Sequence, residues 1–188
     1  MQLRTFTSLT CNCILATAGL APIALPPVEK AVAQQPAAVP SPPVTATVSL
    51  DGKDVTIKFG APSMRGRKIF GGLVPYDTVW RTGANEATSF VTQANLKIGG
   101  TTVPAGSYTL YTLPNPTRWL LIINKQTGQW GTVYNEPMDL ARVAMQSATL
   151  STPQEKLSIT FENTHGNTTE LHIRWDTTNQ YLPITAAQ

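Results

Sequence analysis

Residues 44–59 have the sequence VTATVSLDGKDVTIKF, and this stretch decides the fold class. Apolar residues occupy every second position on both sides of the Asp51-Gly52 pair. They are Val44, Ala46, Val48 and Leu50 before the pair and Val55, Ile57 and Phe59 after it. A period of two places such side chains on one face of a strand, and Asp-Gly is a favoured connection between antiparallel strands. The segment therefore predicts a β-hairpin with one buried face.

Similar strand signals recur along the rest of the chain, separated by turn signals such as Gly99-Gly100 and His165-Gly166-Asn167. Strands are predicted over 90–98, 108–113, 119–123, 140–145, 157–161, 171–175 and 181–184, with a short helix as the alternative for 140–145. About eight or nine short strands at this spacing are typical of sandwiches. We therefore predict an all-β fold, a two-sheet antiparallel β-sandwich for which a jelly roll is one arrangement. A closed barrel is the alternative, because counting strands does not separate the two.

Composition limits the function. The 188 residues fit one domain with a modest leader, and only 13% of them are charged. The net charge of +3 is small and dispersed, unlike the basic face of a nucleic-acid-binding protein. The sequence also has no glycine-rich phosphate loop and no dinucleotide fingerprint. We expect no nucleic-acid partner and no cofactor.

The N-terminal residues resemble a secretory leader. Arg4 supplies the positive start, residues 9–25 are largely apolar, and Ala31-Val32-Ala33 fits a cleavage site. Prolines interrupt the apolar run, so it is too short to span a membrane. We predict a cleaved signal peptide over 1–33, no membrane span after cleavage, and a periplasmic or extracellular location. The leader would remove Cys11 and Cys13, the two cysteines of the chain.

The mature chain divides into two parts. Residues 34–43 are Pro-rich and predict a disordered lead-in, and residues 44–188 predict a single β-sandwich domain. Within that domain, residues 61–87 show little alternation and combine several glycines with aromatic and basic residues. Long irregular loops in compact domains are usually functional or disordered, and the aromatic content here argues against disorder. This loop is the predicted location of a site.

Arg81, Asn85 and Glu86 are the most suggestive group in the loop. They offer a planar guanidinium, an amide and a carboxylate, and Trp80 adds a flat aromatic surface beside them. This combination is suited to a polar ligand, either anionic or carbohydrate. The alternative is that Arg81 and Glu86 form an ion pair that fastens the loop to the sandwich.

Six further residues are candidates for ligand binding. They are Arg65, Arg67, Lys68, Tyr76, Lys125 and Trp130. The first three carry the charge to bind an anionic group, with a solvated basic turn as the alternative. Trp130 lies between glycines at a predicted strand end, where it would face a ligand or fill the core.

The sequence favours binding over catalysis. It has no Gly-x-Ser-x-Gly motif, and the separated His165 and His172 do not form a zinc ligand set, so no metal is expected. One alternative is a hydrolase of envelope polysaccharide that uses Glu86 with Asp77 or Glu136 as the second carboxylate. Another is a structural protein of the envelope that assembles through exposed strand edges. The oligomeric state is not determined by these patterns.

Several phrases together indicate a family. They are MRGRKIFGGLVPY at 64–76, VWRTGANEAT at 79–88, PAGSYTL at 104–110, NK at 124–125 and QWG at 129–131. This set resembles the bacterial family called domain of unknown function 2911, and the resemblance extends from about Val44 to Ile184. The resemblance implies an exported envelope protein. It supplies no reaction, ligand or catalytic residue.

Overall fold

The structure is a computed structural model, and it describes residues 41–187. The predicted signal peptide and residues 34–40 of the predicted lead-in lie outside the described residues. Pro43, which the sequence assigned to the lead-in, belongs to the first strand, and the Pro42 carbonyl accepts a hydrogen bond of 2.9 Å from the Ala61 N–H. No helix within the described range is long and apolar enough to cross a membrane.

Ten strands make up the described domain. In chain order they are β1 (Pro43–Leu50), β2 (Lys53–Gly60), β3 (Ala84–Thr92), β4 (Asn95–Ile98), β5 (Thr101–Val103), β6 (Gly106–Leu113), β7 (Leu120–Asn124), β8 (Asp139–Ala144), β9 (Gln146–His165) and β10 (Thr168–Ala187). The first sheet has the order β1-β2-β3-β6-β7-β8, and the second has the order β5-β4-β10-β9. All the pairings are antiparallel. The predicted two-sheet sandwich is confirmed, and the strands do not close into a barrel.

The first hairpin forms as its sequence predicts. Leu50 pairs with Lys53 across the Asp51-Gly52 turn, and both turn residues have positive φ, 49° and 76°. A two-residue connection of this kind matches the twist of the strands it joins. The alternating residues of β2, including Val55 and Ile57 at 0% exposure, face the core.

Several of the predicted strand boundaries are wrong. The strand predicted at 157–161 is the middle of the long β9, and β5 was not predicted. The stretch 90–98 is two strands, because β3 ends at Thr92 in the first sheet and β4 begins at Asn95 in the second. The Thr92 hydroxyl accepts a hydrogen bond from the Ala94 N–H and donates one to the Ala94 carbonyl, so a local turn replaces the ladder there. The strand predicted at 181–184 is instead the last part of the long β10, which continues past bulges around Asp176.

The irregular loop is shorter than predicted and partly fills the core. It ends at residue 83, since Ala84 already begins β3. Its Phe70 ring packs edge-on against Trp119 with centroids 4.8 Å apart, and Trp80 stacks on Trp175 with centroids 5.8 Å apart. The loop therefore contributes two of its aromatic side chains to the space between the sheets.

Candidate functional site

Trp80 is a core residue. Its exposed fraction is 9%, and its indole N–H donates a hydrogen bond of 3.2 Å to the Gly83 carbonyl. A large apolar ring that stacks on Trp175 and meets Phe70 edge-on gains more from burial than from solvent. Trp80 therefore does not form the exposed aromatic surface that the sequence predicted for it.

The other predicted residues of the loop are dispersed. The backbone N–H of Arg65 donates a hydrogen bond of 3.0 Å to the Glu155 carboxylate. Arg67 donates from Nε and Nη2 to backbone carbonyls at 2.9 and 2.7 Å. Lys68 is exposed, and Tyr76 is 37% exposed and lines a different pocket from Arg67.

Arg81 has an unusual environment for an arginine. Within residues 41–187 its side chain makes no hydrogen bond and no ion pair, and its Nε is buried without a partner. The ion pair with Glu86 that would fasten the loop is therefore not present in the described domain. A half-buried guanidinium that has no carboxylate partner among the described residues is suited to an incoming anion.

A segment that we call the strap, residues 125–135, covers part of the outer face of the first sheet. Tyr111 is 1% exposed without belonging to the core between the sheets, because the strap lies over it. Its hydroxyl donates 2.7 Å to the Val133 carbonyl and accepts 2.8 Å from Gln129 Nε2. Asn124 Nδ2 donates 2.9 Å to the Asn135 carbonyl at the end of the strap. Lys125, at the start of the strap, is exposed, and its side chain is not part of these hydrogen bonds.

The strap rests directly on Arg81. A Cβ atom at Gly131 would lie 2.1 Å from Cδ of Arg81 and 2.5 Å from the Asn85 carbonyl oxygen. Any side chain at this position would collide with Arg81 and Asn85, so glycine allows the strap to approach the sheet closely. At this close approach the backbones of Trp130 and Glu86 form an isolated antiparallel β-bridge.

Trp130 stands between two grooves on this face. Its side chain is 56% exposed, and each groove has a volume of about 410 Å³. Both grooves are lined by Glu86, Ala87, Ser89 and Trp130. The first groove adds Asn85 and Lys58, whereas the second adds Thr127 and Gln129.

A third depression adjoins the first groove, and we call it the arginine pocket. Its volume is about 280 Å³, and Arg67 and Arg81 supply its charged groups. It shares Ser41 and Ala84 with the first groove. Trp80 also lines the arginine pocket. The fold therefore brings six of the predicted residues together along the arginine pocket and the first groove, namely Arg67, Trp80, Arg81, Asn85, Glu86 and Trp130.

Glu86 is the only carboxylate among the residues that line the two grooves and the arginine pocket. Asp77 accepts a hydrogen bond of 2.7 Å from Asn115, and Glu136 pairs with Arg142 at 2.8 Å. Neither of these proposed catalytic partners lines the grooves. Among the described residues no group of three or more His, Cys, Asp or Glu side chains is arranged to hold a metal ion.

The fold and the site together define the class of protein. It is an all-β sandwich with an exposed polar and aromatic surface on one sheet. Over residues 41–184 the chain matches the family described as protein of unknown function (DUF2911), and it belongs to that family. No curated protein and no solved structure matches the chain.

A polar cluster on β9 and β10 was not predicted from the sequence. Arg174 pairs with Glu162, and His172 hydrogen-bonds Asn179 at 3.1 Å. The ring of His172 stacks on Tyr181 with centroids 5.1 Å apart, so it is only 6% exposed. The alternation of β10 indicates that His172 faces outward. It does not show that β10 bends so that Asn179 and Tyr181, later in the same strand, cover the imidazole ring.

Acid should destabilise the fold partly through this cluster. Hydrogen bonds from Arg174, followed by one from Thr160, lower the pKa of Glu162 from 4.5 to about 2. Because the folded-state pKa is the lower one, the stabilisation is present above about pH 4.5 and is lost as the pH falls toward 2. We expect the Tm of Glu162→Gln to fall less steeply than that of the wild type over this interval.

Thermal melts at a series of pH values measure the two slopes. Glu86→Gln is the matched control, because it makes the same substitution at an exposed residue that forms no ion pair within residues 41–187. Equal slopes for wild type and Glu162→Gln would contradict the expected role of the Glu162–Arg174 pair.

Proposed function

We propose that this domain binds an anionic carbohydrate along the outer face of its first sheet. The observation that carries the proposal is the indole of Trp130, 56% exposed between two grooves that share Glu86. Aromatic rings usually fill cores, and an exposed ring beside a groove is suited to stacking on an apolar ligand face. The apolar C–H faces of sugar rings match this requirement.

Polar groups beside Trp130 are suited to sugar hydroxyls. Asn85 and Glu86 lie on β3 with exposed side chains, and Ser89 lines both grooves further along the strand. Carboxylate oxygens accept hydrogen bonds, whereas amides and hydroxyls both donate and accept. A few convergent polar groups of this kind fix the orientation of a ligand in its site.

The arginine pocket supports a negative charge on the ligand. Arg81 has no acceptor among the described residues, and Arg67 lines the same pocket. A guanidinium is a good bidentate donor for a carboxylate. Because the pocket adjoins the first groove, an oligosaccharide that bears acidic groups would contact Arg81 and Trp130 together.

The number of carboxylates in the grooves favours binding without hydrolysis. Glycoside hydrolysis commonly requires two carboxyl groups on either side of the bond, and Glu86 is the only one that lines these grooves. The predicted leader would deliver the domain to the periplasm or the cell exterior, where acidic polysaccharides are encountered. We propose that location together with the binding function.

Replacing Trp130 by alanine should weaken binding to acidic oligosaccharides at least about tenfold, because aromatic anchors at binding sites commonly contribute about 2 kcal/mol or more. Isothermal titration calorimetry with oligomers of galacturonate, glucuronate and mannuronate measures the affinity. Trp130→Phe keeps a flat ring and should retain most of it.

Melting temperatures of both variants report whether the fold is intact. The proposal would be wrong if the folded wild-type protein bound none of these oligomers, or if Trp130→Ala bound them as tightly as the wild type does.

A further inference from the structure

A separate pocket lies away from the proposed binding surface, and we call it the threonine pocket. Its volume is about 250 Å³, and it is formed by the 61–83 loop, residues 115–119, the start of β9 and the middle of β10. It shares no residue with the two grooves or the arginine pocket. None of the side chains that line it is charged.

Gln180 provides the main evidence that this pocket takes a ligand. The residue is 3% exposed, and its side-chain oxygen accepts a hydrogen bond of 2.8 Å from Ser147. Its Nε2 donates no hydrogen bond to any described residue, and it is not among the fully buried atoms without a partner. The amide therefore directs unused donors into the pocket, and buried amides in proteins normally have partners.

Four hydroxyl groups line the same pocket as this amide, two of them on the exposed residues Thr149 and Thr177. Tyr76, Thr149, Thr177 and Thr178 line the pocket, and none of their hydroxyls makes a hydrogen bond within residues 41–187. The bulge next to Asp176, which has a φ of 56°, explains why Thr177 and Thr178 line one pocket. In a regular strand two successive side chains would face opposite sides.

We infer that the threonine pocket binds a neutral polyhydroxylated ligand of about monosaccharide size. Hydroxyl and amide groups can each match a sugar hydroxyl as donor or acceptor. The Tyr76 ring, 37% exposed, offers a face for the sugar ring. A carboxylate would be disfavoured because no cation lines the pocket to compensate its desolvation.

The inference goes beyond the proposed function, since the two sites differ in residues and in charge preference. The domain would hold an acidic chain on the first sheet and a neutral sugar unit at the threonine pocket. Failure at one site would leave the other unaffected.

Nuclear magnetic resonance of the ¹⁵N-labelled protein tests the inference through the side-chain amide signals of Gln180. The probes are methyl glucoside, methyl galactoside and N-acetylglucosamine, with sodium glucuronate as the charged comparison. We expect at least one neutral sugar to shift the Gln180 amide saturably, and glucuronate to bind at least about tenfold more weakly.

Thr178→Val keeps a β-branched side chain and removes one hydroxyl, and it should weaken the neutral sugar several-fold. Gln180→Met removes the amide and should abolish the binding, which is followed in that variant through the backbone amide signals of Thr177 and Thr178. Thr178→Val serves alone if Gln180→Met does not fold. Trp130→Ala is the matched control and should bind the neutral sugar as the wild type does. No saturable shift with any neutral probe, equal binding by Thr178→Val, or loss of binding in Trp130→Ala would overturn the inference.

Discussion

Trp80→Ala should lower the free energy of unfolding by about 3–5 kcal/mol, as is typical when a large aromatic side chain is removed from a core. The ring is 9% exposed, stacks on Trp175 and meets Phe70 edge-on at 6.1 Å. Alanine would leave a cavity between the sheets that close packing cannot fill. It would also leave the Gly83 carbonyl without the indole donor it has at 3.2 Å.

Chemical denaturation followed by circular dichroism measures this change. Trp130→Ala is the matched control, since the same substitution at a 56% exposed residue should cost about 1 kcal/mol or less. If Trp80→Ala cost no more than Trp130→Ala, the assignment of Trp80 to the core and Trp130 to the surface would be wrong.

The period of two predicts the β-sandwich well because most strands bury one face. The same rule fails at 90–98, where alternation continues while the chain passes from one sheet to the other. The change depends on hydrogen bonds between the Thr92 side chain and the Ala94 backbone. A hydrophobic pattern contains no information about such local turns.

The candidate site could be predicted in part. The chemistry of Arg81, Asn85 and Glu86 identifies a polar site, but proximity in sequence placed Trp80 beside them. Trp80 instead packs between the sheets, where it stacks on Trp175 and its backbone forms an isolated antiparallel bridge with Thr112. Trp130 provides the exposed aromatic ring beside Asn85 and Glu86, because the strap crosses the sheet there. This long-range contact has no signature in the sequence.

Arg81→Met should remove most of the preference for a negatively charged ligand. A hydrogen-bonded ion pair contributes about 1.5–3 kcal/mol, so the wild type should bind oligogalacturonate at least about tenfold more tightly than its neutral methyl ester. Methionine keeps much of the apolar stem that packs under Gly131 but has no guanidinium. The fold should therefore persist while the charge preference is lost.

Lys68→Met is the matched control, because it removes the same charge from an exposed residue that does not line the arginine pocket. The most direct test of anionic carbohydrate binding is the ratio of the two affinities, acid over methyl ester, measured by calorimetry in all three proteins. We predict a high ratio for the wild type and Lys68→Met and a ratio close to one for Arg81→Met. A wild-type ratio near one, or an unchanged ratio in Arg81→Met, would contradict the account.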